Sequence, residues 1–422
     1  MSNAAPVPAA PPVQPVIVGG DIGAYSLARA FHEAYGVRSI VISRLRGWHV
    51  DRSAIIENVS CPDPFDPAQL APVLAQVAAA HSGAPVMLLG SADATVKAII
   101  AVRDTMGALP GGWTAPYVGM DAFRAGTEKQ NFTALCERLG VDHPATRVVD
   151  LAQEVDPDLE VPFTYPVIAK PAEVSEWKKA DFAGKSKVHT VASRAELLDL
   201  LRRIREAGYR ESIIVQDRVP GDDQAMRILT CYCDADSRVR FASYGRTLLE
   251  EHSPGAIGNP AAIITAVDPD VVDQAQRLVR ELGWTGYANF DLKYDHRDGR
   301  TKFFELNPRL GRSNYYVTAG GHNPVTWYVR EHLGEGLGAA GEILQEQQEA
   351  LYTVVPVALV RRYTTLPDAK EQLRRVVAAR RVRNPLLYPG VEKDPRRWAT
   401  IAAAMLNYVR KFHRYYRPED FR

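Results

Sequence analysis

Short apolar runs occur at intervals along the first hundred positions of the chain. Residues 15–20 (PVIVGG) and 85–91 (PVMLLGS) are continuous apolar runs that end in glycine or Gly-Ser, a pattern typical of buried parallel strands. Residues 24–36 place apolar side chains at helical spacing and stop at a glycine, and residues 37–43 (VRSIVIS) form the next apolar run. The pattern predicts an α/β unit that opens as strand, helix, strand.

Strands and helices alternate through the middle of the chain as well. One helix is expected from Asp121 to a glycine stop at Gly140, and another at about 193–207. Apolar or alternating runs predict strands at 165–170, 187–191, 212–216, about 225–233 and about 238–245. This part of the chain has the pattern of an α+β unit.

The segment 286–309 contains two alternating stretches on either side of the turn signal Asp298-Gly299, which predicts a β-hairpin. If the turn centres there, Asp291 lies opposite Glu305, and both share a face with Asn307. The same register places four apolar residues on the other face, where they anchor the hairpin. These residues are Phe290, Leu292, Phe304 and Leu306.

Carboxylates directly across a strand pair repel one another, so the pair destabilises the sheet unless a cation compensates its charge. Oxygen ligands with no His or Cys nearby match Mg²⁺, which also coordinates substrate phosphates. Asp291, Glu305 and Asn307 are therefore the candidate metal ligands. A solvated hairpin whose acids lie near Lys293 and Arg309 without a metal is the alternative.

Two lysines and a polar turn upstream of the hairpin have residue types suited to a nucleotide. Lys170 directly follows an apolar strand and precedes a proline, so its ammonium can act as a point charge for a phosphate. Lys129 lies early in a helix expected at 127–139. The turn after strand 212–216 supplies an amide, backbone groups and carboxylates that suit an adenine edge and ribose hydroxyls, although solvated charges and an ordinary turn are the alternatives. Its candidate residues are Gln216, Asp217, Val219 and Asp223.

The glycine turn at 19–23 (GGDIG) invites comparison with a dinucleotide site. Its spacing is not G-x-G-x-x-G, and no acidic partner about 20 residues on is evident, which disfavours a dehydrogenase. A tight strand-to-helix turn is the better interpretation of these glycines. The crevice beside the turn can still hold a small substrate.

Composition limits where such a protein works. The 422 residues carry a net charge of +1 and are 46% hydrophobic, as in a folded protein, and no run reaches the roughly 18–20 apolar residues needed to cross a bilayer. The leader at 1–14 has neither the basic nor the apolar region of a signal peptide. The four cysteines form no C-x-x-C pair. We therefore expect a cytoplasmic protein.

The charge is unevenly distributed along the chain. Residues 361–422 carry 16 Lys or Arg and 6 Asp or Glu, so a basic C-terminus follows an acidic body. The helix expected at 397–416 (RWATIAAAMLNYVRKFHRYY) is either docked on the protein or a surface that attracts an anionic partner. A membrane-surface or nucleic-acid adaptor, peripheral at the inner membrane, is thus one alternative function, with nucleic acid the less expected partner.

Taken in order, the residues above resemble the ATP-grasp superfamily of carboxylate-amine ligases. Longer strings resemble its D-aspartate ligase branch, among them QDRVPGDDQAMRILTCYCD, GYANFDLKYD and FFELNPRLGRSNYYVTAGGHN. The resemblance covers about residues 15–335 and implies an α/β and α+β chain, with an ATP-grasp fold behind an N-terminal Rossmann-like domain. The expected units are a flexible leader at 1–14, a pre-ATP-grasp domain at 15–115, an ATP-grasp domain at 116–335 with a lid at about 145–215, and a basic, mainly helical extension at 336–422.

The resemblance also implies residue roles. ATP binding is assigned to Lys129, Lys170, Gln216, Asp217, Val219 and Asp223, and Mg²⁺, with two ions expected, to Asp291, Glu305 and Asn307. The Gly/Ser-rich lid loop of the wider superfamily has no counterpart at 172–187, where Gly184 is the one glycine among several lysines. Lys185 and Lys187 are the weaker candidates for phosphate contacts in that loop.

The implied reaction forms an amide: a carboxylate attacks the γ-phosphate of ATP, and an amine then displaces phosphate from the acyl phosphate. Arg309 is assigned to the transferring phosphoryl group, Arg312 to the amino acid's carboxylate and Arg227 to a position near ATP, with ordinary ion pairing as the alternative for the last two. The branch points to D-aspartate and an amine of a nucleotide-linked or lipid-linked muropeptide in peptidoglycan synthesis. Another amino acid or a specialised-metabolite acceptor is the alternative.

Overall fold

The computed structural model describes residues 13–81, 83–106, 113–186, 188–334, 336–339 and 341–417, so most of the leader expected at 1–14 lies outside the described residues. Its strands are Gln14–Val18 (β1), Ser39–Ser43 (β2), Ile56–Ser60 (β3), Val86–Gly90 (β4), Thr146–Asp150 (β5), Val167–Pro171 (β6), His189–Val191 (β7), Ser212–Asp217 (β8), Met226–Cys233 (β9), Val239–Glu251 (β10), Asn259–Ala266 (β11), Gly286–Asp295 (β12), Arg300–Asn307 (β13), Leu351–Thr353 (β14) and Val382–Arg383 (β15). Its helices are Ile22–Tyr35 (α1), Pro67–Ala80 (α2), Asp93–Met106 (α3), Met120–Thr127 (α4), Lys129–Leu139 (α5), Val174–Lys179 (α6), Arg194–Glu206 (α7), Pro269–Glu281 (α8), Tyr315–Ala319 (α9), Val325–Leu333 (α10), Val357–Tyr363 (α11), Pro367–Ala378 (α12) and Pro395–Tyr415 (α13).

The first sheet consists of four parallel strands in the order β3-β2-β1-β4. Ile17 on the central strand β1 lies beside Val41 of β2 and Leu89 of β4, and all three side chains are buried. Helix α1 begins after Asp21, whose carboxylate caps it, and ends where Gly36 adopts a φ of 68°. The predicted strand, helix, strand opening is confirmed.

The turn between β1 and α1 requires glycine for steric reasons. Gly19 has a φ of 139°, and a Cβ there would lie 1.9 Å from the Ser91 hydroxyl oxygen. A Cβ on Gly23 would lie 3.2 Å from the Cα of Arg312. The tight turn therefore brings α1 against the loop that follows β13.

A smaller antiparallel sheet, in the order β5-β8-β6-β7, has an apolar core of its own beneath α7. Leu197 of that helix and Val215 of β8 are fully buried in this core. The helix begins after Ser193, whose hydroxyl oxygen accepts a hydrogen bond from a backbone amide of the first turn. The returning strand expected near 187–191 is present as β7.

The third and largest sheet has seven strands in the order β13-β12-β9-β10-β11-β14-β15. The strands expected from about 225 and 238 are present, but β10 continues to Glu251, beyond the predicted end at 245. The single helix expected between Asp121 and Gly140 is instead two helices, α4 and α5, because the backbone at Glu128 is extended with a ψ of 123°. Gly140 ends α5, as predicted, with a φ of 60°.

Strands β12 and β13 form the predicted hairpin, with one irregularity. Asp291 pairs with Glu305 as expected, but a bulge then shifts the register so that Leu292 pairs with Phe303. The prediction that Phe304 packs in the apolar core is therefore wrong, since Phe303 is 1% exposed in that core and Phe304 is only partly buried. The bulge exchanges the positions of two adjacent phenylalanines.

The basic C-terminal region packs on the rest of the molecule. Helix α13 buries one face, which includes Ile401, Tyr408 and Phe412, and exposes residues of its other face to solvent. The docked interpretation of the helix at 397–416 is therefore correct. Within the described residues, we find no helix with both the length and the apolar character that crossing a bilayer requires.

A buried ion pair fixes this region to the first sheet and its loops. Glu392 and Arg397 are 3% and 2% exposed, and their charged groups approach to 3.4 Å. Arg397 donates to the backbone carbonyls of His49 and Asp51 at 2.9 and 2.8 Å, and its guanidinium lies 4.5 Å from the centre of the Tyr25 ring. The Tyr25 hydroxyl donates to Glu392 at 3.0 Å. Both charges are thus neutralised within one contact between distant parts of the chain.

Replacing Arg397 by methionine leaves the Glu392 carboxylate buried without its cation. We expect Arg397→Met to lower the free energy of unfolding by about 3–5 kcal/mol, because breaking one partner of a buried pair leaves an uncompensated charge. Thermal unfolding followed by circular dichroism measures the loss. Arg396→Met, at the adjacent exposed position, is the matched control and should change stability little. Equal effects of the two substitutions would contradict the role of the buried pair.

Candidate active site

The central feature of the site is the pair of acids across the β12–β13 hairpin. Asp291 and Glu305 are directly opposed in the register, and both are partly buried. Burial and the neighbouring Glu305 carboxylate raise the pKa of Asp291 well above its usual range, while Arg309 and Asn307 act in the opposite direction. The pair is therefore a concentrated negative site that a cation would stabilise.

Asn307 lies beside this acid pair. Its Nδ2 donates to Asp291 Oδ2 at 3.3 Å and to the Asn289 carbonyl oxygen at 3.4 Å, while its Oδ1 accepts from Arg309 Nη2 at 3.5 Å. A flip of the amide exchanges the nitrogen and the oxygen, and it would present Oδ1 to the carboxylates. Asn307 therefore suits either a hydrogen bond to the acids or an oxygen ligand beside them.

Arg309 connects the hairpin to the first sheet. Its Nε lies 2.9 Å from Asp93 Oδ1, at the start of α3 and just beyond the end of β4. Burial raises the pKa of Asp93, an effect that Arg309 opposes and Glu305 reinforces. Asp93 is a further site residue that was not predicted, and the one signal for it in the sequence is its position just after the β4 strand and its Gly-Ser turn. A guanidinium is thus held within reach of the acid pair by a residue of helix α3, which follows the first sheet's strand β4.

A cavity of about 330 Å³ lies between the second sheet and the hairpin end of the large sheet. Four of the predicted ATP-binding residues line it together, namely Lys170, Gln216, Asp217 and Val219. Further lining residues that the sequence analysis did not assign to the nucleotide include Ile168, Met226, Lys293 and Phe304. The bulge explains why Phe304 lines the cavity, because it turns this ring from the core towards the cavity. The cavity combines apolar walls with a few polar groups, as small-molecule sites do.

Two of these cavity residues are held by neighbours outside it. Gln216 Nε2 donates to the Thr146 hydroxyl at 2.9 Å across the β5–β8 pair. Asp217 forms an ion pair with Arg297 at 2.6 Å, and the same guanidinium contacts Asp295 at 2.6 Å. Arg297 lies in the turn of the β12–β13 hairpin, so it ties the second sheet to the acid-bearing hairpin.

Asp223 lies next to the cavity but is engaged by protein groups. Its Oδ2 accepts from the Glu250 backbone amide at 2.8 Å and is 2.9 Å from His252 Nε2, and the side chain is almost fully buried. Burial and the Asp223 charge raise the pKa of Glu250 to about 8, while Lys293 opposes that shift. The structure therefore places Asp223 in a charged cluster at the edge of the cavity rather than in its lining.

Of the remaining predicted lysines, Lys129 and Lys185 lie outside the cavity lining. Lys129 is the first residue of α5 and is partly buried. Lys185 donates from its ammonium to the Ala180 carbonyl oxygen, within its own loop. Lys187 lies outside the described residues. The phosphate contacts of these three lysines remain predictions.

Arg227, expected near ATP, lies instead on the opposite face of the large sheet. It pairs with Leu292 in the β9–β12 register, whereas the next residue, Ile228, pairs with Asp291. Side chains alternate between faces along a strand, so Arg227 points away from the acid pair. Its guanidinium donates to the carbonyls of Gln224 and Met226 at 2.7 and 2.9 Å.

Arg312 borders a second cavity, of about 230 Å³. Its Nη1 donates to Glu251 Oε1 at 2.9 Å, and Glu251 is 4% exposed. Trp48 and His49 of the N-terminal region and Tyr408 of α13 also line this cavity. Arg312 therefore stands where the large sheet, the first sheet's loops and the C-terminal helix meet.

The chain is similar to a curated protein along almost its whole length. It is 29% identical over 416 residues to D-aspartate ligase of Enterococcus faecium (strain Aus0004). The alignment covers 96% of this chain and 97% of that protein. That coverage extends well into residues 336–422, so the expectation that the basic C-terminus lies outside the resemblance is wrong. No family model matches the chain.

Solved structures of the ATP-grasp type share its architecture. N5-carboxyaminoimidazole ribonucleotide synthetase from Thermus thermophilus aligns with a TM-score of 0.55 at 17% identity, covering 80% of this chain and 82% of that chain. The biotin carboxylase domain of Hydrogenobacter thermophilus 2-oxoglutarate carboxylase, in complex with MgADP, ADP and bicarbonate, aligns with a TM-score of 0.56 at 13% identity, covering 80% and 72%. The expected fold is confirmed. The chain therefore has the ATP-grasp fold and is similar, over nearly its whole length, to a D-aspartate ligase, so it resembles the carboxylate-amine ligases.

Proposed function

We propose that this ligase uses ATP to join D-aspartate, or a similar amino acid, to an amine of a peptidoglycan precursor. The observation that carries the proposal is the position of the acid pair Asp291 and Glu305 beside the 330 Å³ cavity, with Arg309 next to the acids. The named relative, a D-aspartate ligase, supports the choice of amino acid. The same site with another amino acid or acceptor is the alternative.

The 330 Å³ cavity is the proposed nucleotide pocket. Gln216 and the backbone around Val219 suit the edge of adenine, Phe304 and Met226 suit its flat faces, and Lys170 suits a phosphate. Asp223 borders this pocket through the turn that follows β8, and we assign it to the ribose, which it can reach by exchanging its bond to His252. Lys129, Lys185 and Lys187 remain the further candidates for phosphate contacts.

The oxygen-only donor set on the hairpin fits Mg²⁺, since opposed carboxylates with an adjacent amide are hard ligands. Asp291, Glu305 and Asn307 would hold the metal, and two ions remain the expectation. When bound, Mg²⁺ supplies positive charge for the phosphates of ATP. The protein's contribution is to hold both acids on one rigid face, so that their charges act together on the same cation.

The proposed reaction proceeds by two displacements. A carboxylate oxygen of the amino acid attacks the γ-phosphorus and ADP leaves; the acceptor amine then attacks the acyl carbon, and inorganic phosphate leaves with loss of a proton from the amine. Arg309 is fixed by Asp93 at the position where it can neutralise the transferring phosphoryl group. No covalent bond to the protein is needed, which fits a site of cations and acids without an activated nucleophile.

The 230 Å³ cavity beside Arg312 is the proposed site of the amino acid. A guanidinium that can bind a carboxylate in a bidentate manner, next to the buried acid Glu251, matches the carboxylate and ammonium of an amino acid. Ser313 and Asn314 follow in the same loop, and Asn314 Nδ2 donates to the Gly23 carbonyl oxygen at 3.2 Å. This bond ties the loop to the glycine turn of the first sheet.

Activity should depend on Glu305 and on the identity of the amino acid. We expect phosphate release from Mg·ATP only with D-aspartate and an amine acceptor such as a muropeptide precursor, and Glu305→Gln should lower it at least about 100-fold through lost charge compensation in the transition state. Asp298→Asn, an exposed acid in the turn of the same hairpin, is the control. Release with a different amino acid would replace D-aspartate in the proposal, and full activity in Glu305→Gln would refute the site.

The acid pair should also affect stability through its charge. In EDTA at pH 8, Asp291→Asn should raise the free energy of unfolding by up to about 1 kcal/mol, because it removes like-charge repulsion across the strands. The pKa of Asp291 is raised in the folded protein, so its ionisation destabilises the fold as the pH rises. The same variant should lose most of the stabilisation that wild type gains from Mg·ADP, measured by thermal unfolding. A full Mg·ADP effect in Asp291→Asn would exclude this acid as a ligand.

The bulge assigns opposite roles to adjacent phenylalanines. Phe304→Ala should weaken ADP binding about tenfold, as expected when an aromatic partner of a base is lost, while stability changes little. Phe303→Ala should instead destabilise the protein by about 3–5 kcal/mol through a core cavity. Calorimetric titration with Mg·ADP and chemical unfolding compare the pair. A hairpin without the bulge would give the reverse result.

A further inference from the structure

A third and larger cavity, of about 910 Å³, lies on the other face of the large sheet. We call it the basic cavity, since Arg227, Arg246 and Arg362 line it from β9, β10 and α11. Arg227 and Arg246 are opposed in the β9–β10 register, so their side chains share this face. Its volume lies within the range of roughly 300–1,000 Å³ for small-molecule sites.

Two acids, Asp222 and Asp368, line the basic cavity with the three arginines, so its positive charge is only partly neutralised by the protein. Arg246 forms an ion pair with Asp368 at 2.5 Å. Arg227 donates to backbone carbonyls, and within the described residues no carboxylate lies at ion-pair distance from it or from Arg362. Burial lowers the pKa of Arg227 and the neighbouring Arg246 acts in the same direction, while Tyr244 and the more distant Asp368 oppose the shift. A bound anion would supply the missing charge.

Tyrosine rings form the second part of the lining. Tyr294 stands beneath Arg227, whose guanidinium carbon lies 5.5 Å from the ring centre. Tyr363 and Tyr416 lie on the C-terminal side with their ring centres 4.4 Å apart. Tyrosine faces bind flat rings by stacking, while arginines bind phosphate oxygens in a bidentate manner. The two features together match a ligand that carries both a ring and a phosphate.

We propose that the basic cavity binds a phosphorylated ligand with a flat ring, of the nucleoside diphosphate class, separately from the ATP pocket. The phosphates contact Arg227 and Arg362, with Arg246 held alongside by Asp368, and the ring stacks on the tyrosines. A simple dicarboxylate would leave most of the 910 Å³ and all of the aromatic wall unused.

A fixed wall separates this site from the proposed ATP pocket. Gly221 borders both cavities, and the turn after it contains Gln224, which is fully buried. Gln224 Oε1 accepts from the backbone amides of Thr365 and Leu366 at 2.9 and 3.0 Å, between α11 and α12. The C-terminal region therefore builds one side of the cavity and fixes its boundary, so two ligands can be bound at the same time.

Direct binding tests the proposal independently of ligase activity. Cytidine 5′-diphosphate is titrated calorimetrically into the full-length protein saturated with Mg·ADP, because a pyrimidine suits an adenine pocket poorly and ADP blocks that pocket. Pyrophosphate, cytidine and succinate are titrated in parallel. We expect the diphosphate to bind more tightly than pyrophosphate, and cytidine and succinate to bind far more weakly than either.

Substitutions of lining residues test whether the diphosphate binds in the basic cavity. Arg362→Ala should weaken the diphosphate about tenfold through loss of a charge-assisted contact, while Arg361→Ala, the adjacent exposed arginine outside the lining, should leave it unchanged. Tyr294→Leu should remove the advantage of the diphosphate over pyrophosphate. Thermal unfolding verifies that each variant is folded. No binding in the presence of ADP, equal losses in the two arginine variants, or succinate binding as tightly as the diphosphate would each overturn the proposal.

Discussion

The opposition of Asp291 and Glu305 across one hairpin is the constraint on which the site depends. A strand pair fixes two side chains on one face at short distance, whatever their charges, because the backbone hydrogen bonds and the apolar face hold the register. Here the apolar face is anchored by Phe290 and Phe303, whose rings pack edge to face. The fold therefore keeps together two acids that would separate in a flexible loop. That repulsion is what a cation can relieve, and it gives the hairpin its proposed chemistry.

The groups around this pair come from the three sheets and the segments that adjoin them. The second sheet supplies Lys170 and Gln216, helix α3 beside the first sheet supplies Asp93 as the anchor of Arg309, and the loop after the hairpin supplies Arg312. Each contributes one or two contacts, so the relative placement of the sheets decides whether a site exists. Arg297 in the hairpin turn, paired with Asp217 of the second sheet, is a direct tie between two of them.

In the sequence the C-terminal region is notable only for its basic charge, but in the structure it forms part of the site. Arg397 of α13 and Glu392 bury their charges against the first sheet's loops. Tyr408, also of α13, lines the cavity beside Arg312. Earlier in the same region of the chain, residues of α11 and α12 line the basic cavity on the opposite face of the large sheet. A region whose composition suggests a free basic surface thus uses several of its arginines in contacts within the protein.

The sequence alone determined features that depend on neighbours close along the chain. Alternation and an Asp-Gly turn predicted the opposition of Asp291 to Glu305, and the apolar run before Lys170 predicted the strand that carries this lysine. Only the tertiary structure decided the bulge that exchanges Phe303 and Phe304, because a one-residue shift is stabilised by packing against distant side chains. The face occupied by Arg227 depends on strand pairing in the same way. Local periodicity fixes which residues share a face, but long-range packing determines what that face meets.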